Sequence, residues 1–148
     1  MYNAKILRRS YQKKFDKFRR HIMQCPPQGW LKTIREILGM TTKQLANKIQ
    51  VSQPRIVKME KNEQNIKIST MQNVADALNC DFIYAFIPRE KIDTIIYNQA
   101  KKKAIKILNR VNRNMGLENQ LTNTDELLND IIEELLNDKI TRIWDEDI

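Results

Sequence analysis

Glycine and proline are scarce, with only 3 Gly and 4 Pro in 148 residues. That is too few turn formers for a sandwich or barrel of many short strands. Two cysteines, Cys25 and Cys80, and a single histidine, His21, leave little material for a metal site. Thiols so sparse are expected to stay reduced, in a cytoplasmic protein. No apolar run approaches the roughly 20 residues that span a bilayer, and the basic N-terminus lacks the apolar stretch of a signal peptide. No Cys–His, Ser–His or paired-carboxylate arrangement stands at a workable spacing, and there is no glycine-rich phosphate loop. Neither an enzyme nor a bound cofactor is expected. The whole chain is 41% hydrophobic and 30% charged, the balance of a mostly helical globular chain.

Acidic residues are nearly missing from the front of the chain. Residues 1–62 carry 15 Lys and Arg against 3 Asp and Glu, whereas residues 117–148 carry 2 against 10. The net charge is +8. A front so basic attracts a polyanion, because cations that neutralise phosphates release condensed counterions. A solvated surface is the alternative. The acidic end reads as an interaction surface, or as a cover for the basic face.

Residues 2–23 have the spacing of an amphipathic helix, with Leu7, Tyr11, Phe15, Phe18 and Ile22 on one face and basic residues on the other. Cys25-Pro26-Pro27-Gln28-Gly29 ends it as a stiff connector. A short helix follows over 30–38, with Gly39 as its stop. Thr41 and Gln44 have capping-box spacing for a helix through Ile49. Ser52 is placed as the N-cap of the next helix, with Pro54 in its first turn, and Ser69 with Gln72 repeats the capping-box spacing before 71–78. Residues 82–87, Phe-Ile-Tyr-Ala-Phe-Ile, read as a strand buried on both faces. Its partner is either a second segment of this chain, with only 66–69 or 140–144 as weak candidates, or the same strand of a second subunit. A long helix is expected over 90–114 and a last one over 123–137, opened by Asn123 with Glu126. The expected organisation is an N-terminal helix and linker (1–27), a helix-turn-helix domain (28–80), and a strand with helices for dimerisation and partner binding (81–148). The fold class is thus mostly α with one short β-strand and a C-terminal helical extension, in a homodimer.

The helix-turn-helix reading rests on spacing. Leu45, Ile49, Val51, Ile56 and Met59 form a small interior, Ala46 is small where the helices approach, and Ser52 leaves the second helix's N-terminal turn exposed. Leu45-Ala46-x-x-Ile49-x-Val51-Ser52-Gln53 with Met59-Glu60 resembles the phage-repressor type of helix-turn-helix. Gln50 stands where that family usually has Gly, so a left-handed backbone is expected there. Gln53 at the tip suits bidentate contact with adenine, and Lys58 reaches guanine or phosphate. Pro54 and Val57 are placed to meet thymine methyls. Thr42, Lys43, Gln44 and Arg55 are placed along the DNA backbone, where contacts position rather than specify, and Ser52, the cap, is counted with the DNA-binding residues.

Pro27-x-Gly29-Trp30-Leu31-x-x-Ile34-Arg35, the helix-turn-helix, Cys80-Asp81-Phe82-Ile83-Tyr84-Ala85-Phe86-Ile87-Pro88, Met115-x-Leu117-Glu118-x-Gln120 and Trp144-Asp145 stand together in this chain. Their conjunction, over residues 1–146, resembles the bacterial family called mobile mystery protein A. The resemblance implies an antitoxin and autoregulator paired with a Fic-domain enzyme, a class that transfers AMP from ATP to protein hydroxyls. Fic antitoxins carry an inhibitory Ser/Thr-x-x-x-Glu-Gly/Asn helix, whose Glu occupies the arginine that otherwise holds the ATP γ-phosphate. Here the matching run is Asn114-Met115-Gly116-Leu117-Glu118-Asn119, with Asn114 in place of the hydroxyl residue. The resemblance therefore implies Asn114, Glu118 and Asn119 as inhibitory residues, and Phe82, Tyr84 and Phe86 form the expected dimer strand.

Overall fold

The computed structural model describes residues 4–115, 124–138 and 140–146. Those residues fold into two compact units, residues 21–86 and a second built from 1–20 with 87–148.

The first unit is a set of short helices: α2 (Trp30–Ile37), α3 (Thr42–Lys48), α4 (Gln53–Lys61) and α5 (Ile68–Ala77), with a 3-10 turn at Glu63–Asn65. Apolar side chains at helical spacing meet in one core of Leu31, Leu45, Ala46, Ile56, Met59, Val74 and Leu78, with Ile49 and Val51 packed against it. The interior expected from the helix-turn-helix spacing is therefore present. Gly39 follows α2 at φ 69°, the left-handed turn that lets its N–H return to the Glu36 carbonyl at 2.9 Å. The Thr41–Gln44 capping box is formed in both directions. The Ser69–Gln72 box is not: α5 begins at Ile68 with Lys67 as its cap, so Ser69 lies inside the helix. Position 52 caps α4 as expected, but its side chain makes no capping hydrogen bond.

In the second unit, α6 (Ile92–Met115) and α7 (Thr124–Asp138) enclose Ala100, Ala104, Ile132 and Leu135 together with Ile143 from a 3-10 turn at Ile140–Trp144. Two α6 side chains hold that turn: Gln99 Nε2 donates to the Ile143 carbonyl at 2.8 Å, and Lys103 Nζ to the Asp145 carbonyl at 3.0 Å. Helix α1 (Ala4–Arg19) buries no residue and is fastened by polar contacts. Gln12 Oε1 accepts from the Ile92 N–H at 2.9 Å, Arg8 pairs with Asp93 at 3.4 Å, and Arg19 donates to the Pro88 and Arg89 carbonyls. It ends at Arg19, short of Ile22.

The expected strand is not found: residues 81–88 carry no regular secondary structure and join no ladder among the described residues. Nor are 66–69 or 140–144 strands; the first leads into α5 and the second is the 3-10 turn. Aromatic and β-branched residues favour extended backbone, but a strand exists only where a second one supplies hydrogen bonds. Without one, the side chains read as buried stand open: Ile83 is 70% exposed, Tyr84 60% and Phe86 95%.

Candidate nucleic-acid interface

Helices α3 and α4 present one continuous outer surface because their inner faces are fixed by the core. Leu45 and Ile56 are fully buried between them. The turn joining them carries Gln50 at φ 57°, the left-handed conformation expected where Gly is usual. Its geometry is closed by the Val51 N–H donating to the Ala46 carbonyl at 2.9 Å.

With Ile56 and Met59 turned inward, the opposite side of α4 is forced outward. Gln53, Pro54, Val57, Lys58, Lys61 and Asn62 line a shallow depression there. All of them are exposed, as is Arg55. Sequence reasoning placed Gln53, Pro54, Val57 and Lys58 on this surface as base-contacting residues; Asn62, the residue after the helix, was missed because a wheel drawn on α4 stops short of it. A face of two apolar patches flanked by amide and ammonium groups offers both methyl contacts and hydrogen-bond donors to the edge of a base pair.

Gln53 is held in place: its Nε2 donates to Thr42 Oγ1 at 2.9 Å. Thr42 therefore orients the amide at the tip of α4, and its own O–H is still able to donate to a phosphate. Gln44 is likewise committed in part, since its Oε1 accepts from the Thr41 N–H at 2.8 Å while its own N–H donates to Thr41 Oγ1. Lys43 and Ser52 are exposed beside them.

Two supports of this surface were not foreseen. Arg35 is buried, and its guanidinium makes a two-pronged bond with Glu60, through Nε to Oε1 and through Nη2 to Oε2 at 3.0 Å, while Nη1 donates to the Met40 carbonyl at 2.8 Å. The Glu60 hydrogen bond holds the Arg35 pKa above its ordinary value, against the lowering effect of burial. Arg35 sits one turn after Leu31 on an otherwise apolar face, the signal that a partner carboxylate was needed. The second support is Glu63, whose carboxylate accepts from the Trp30 and Leu31 N–H groups at the start of α2.

Among the described residues, no group of His, Cys, Asp and Glu is placed to hold a metal ion, and no helix is long and apolar enough to cross a membrane. Asn114 is exposed near the end of α6; Glu118 and Asn119, like Asn123, lie outside the described residues. No curated protein and no solved structure matches the chain. Residues 31–84, however, match the helix-turn-helix family, and they are the segment whose core, turn and outward-facing second helix have just been described: a DNA-binding domain of the phage-repressor type, in a transcriptional regulator.

Proposed function

We propose that the protein is a homodimeric antitoxin that represses its own operon and inhibits a partner Fic AMP-transferase, as its similarity to mobile mystery protein A implies. The observation that carries the DNA half is the outward face of α4 with Gln53 pinned by Thr42. In this reading Gln53, Pro54, Val57 and Lys58 touch base edges in the major groove, and Thr42, Lys43, Gln44, Ser52 and Arg55 set the register on the backbone.

The enzyme half rests on the Asn114–Asn119 run and on charge. Glu118 replaces one anion by another at the arginine that binds the ATP γ-phosphate, which misplaces the nucleotide for in-line transfer. Helix α7 has six acidic residues and no basic one, which suits a basic nucleotide-binding surface.

AMP transfer by the Fic protein encoded beside this one tests the reading, run alone, with this protein, and with its Glu118→Ala variant. Inhibition by the wild type but not the variant is expected. Inhibition by both moves the mechanism to occlusion by another surface. Inhibition by neither leaves a repressor without an enzyme partner, the second reading, which the helix-turn-helix match alone favours.

A further inference from the structure

Residues 82–87 run without helix, turn, bend or strand. Among the described residues, no backbone hydrogen bond joins 82–87 to any other segment. The side chains of Ile83, Tyr84 and Phe86 face solvent, although their chemistry is that of an interior. The rings of Phe82 and Tyr84 lie 6.0 Å apart, which puts alternate residues on one side as in a strand. An apolar edge with open N–H and C=O groups is a template for pairing with another chain.

We propose that this segment pairs antiparallel with the same segment of a second copy of the chain, about a twofold axis through Ala85. This deepens the homodimer of the functional reading by naming its surface and register. A twofold contact must be self-complementary, and the segment is. With Ala85 on the axis, Ile83 stands opposite the second copy's Ile87, Tyr84 opposite its Phe86, and Asp81 opposite its Arg89. Cross-strand aromatic and β-branched pairs and opposite charges each stabilise such a ladder.

Neighbouring registers lose this match. An axis through Tyr84 sets Asp81 against Ile87, and one through Phe86 sets Arg89 against Ile83. Proline agrees with the same choice. If Ala85, Ile83 and Ile87 belong to the hydrogen-bonded pairs, Pro88 falls where a residue's N–H points away from the partner, so its missing donor costs nothing. The Pro88 carbonyl then also points away, and it already accepts from Arg19. Arg19 occupies the Arg89 carbonyl as well, which ends the ladder at Ile83 and Ile87.

Sedimentation equilibrium of the full chain, without DNA or enzyme, tests this. The samples are wild type, Asp81→Arg, Arg89→Asp, the double exchange, and Ala85→Pro, with circular dichroism to confirm that each is folded. The wild type is expected to be a dimer that each single exchange weakens by roughly 5- to 10-fold. The double exchange should restore it and Ala85→Pro should abolish it. A monomeric wild type, a dimer indifferent to Ala85→Pro, or a double exchange no better than the singles would overturn the proposal. Failure of the regulator reading leaves a different trace, a dimer that binds no operator.

Discussion

Arg35 and Glu60 meet edge to edge inside the helix-turn-helix unit, their side chains 9% and 7% exposed. The pair ties α2 to the end of α4, and the third guanidinium arm reaches the Met40 carbonyl at the start of the next turn. One ion pair therefore fixes the helix whose outward side chains are proposed to read DNA.

Removing one member of a buried pair strands the other without its counter-charge, at a cost of about 3–5 kcal/mol. Glu60→Ala and Arg35→Ala should each lower the unfolding free energy by that order. Arg35→Met with Glu60→Leu should lose far less. Urea denaturation followed by circular dichroism checks both, and a double variant as unstable as the singles would refute the account.

Thr42 and Gln53 make a graded pair of DNA-binding variants. Gln53→Ala should weaken binding to the operator by about 1–3 kcal/mol, roughly 5- to 150-fold, and relax the sequence preference. Thr42→Val removes the acceptor that orients the amide and should cost less, about 1 kcal/mol. Fluorescence anisotropy at matched salt, on operator and on scrambled DNA, distinguishes an orienting Thr42 from a phosphate contact: only the latter weakens both DNAs alike.

Lys43 and Arg55 should behave oppositely to Gln53. Their replacement by Ala should weaken operator and non-specific DNA equally and reduce the salt dependence of binding by about one counterion each. An unchanged slope of log affinity against log salt would place them off the backbone.

Gln50 occupies a left-handed position that a non-glycine side chain adopts at a cost of about 1–2 kcal/mol, part of which glycine gives back through its freer unfolded chain. Gln50→Gly should raise stability by about 0.5–1 kcal/mol and Gln50→Val should lower it. Thermal unfolding reads both signs. Gly29 is the converse case: at φ 85° an added Cβ would lie 2.7 Å from Glu63 Oε2. Gly29→Ala should therefore lower the melting temperature by several degrees.

Local chemistry made most of the helical frame legible. Thr41 and Gln44 announced their capping box, Gly39 its stop and Gln50 its left-handed turn, because each is decided within a few residues. The apolar spacing of Leu45, Ile49, Ile56 and Met59 showed which side of α4 would face outward. Side chains that answer to distant ones were not legible: Glu63 caps a helix more than thirty residues upstream, and Gln53 bonds to Thr42 across the turn. The segment from Phe82 to Ile87 misled in another way. Its side chains report a preference for extended backbone, and they carry no information on whether a partner strand lies in the same chain.

Glu63 stands two residues past the end of α4, yet its carboxylate closes the first turn of α2. The unit is thus a loop locked at its seam, with both ends of the reading surface anchored before any DNA arrives. Association then orders few additional residues, and its heat-capacity change should match the area covered at the contact rather than the larger value of a domain that folds as it binds. The entropy of arranging the α4 side chains' scaffold is spent during folding, leaving the free energy of the DNA contact to discriminate between sequences.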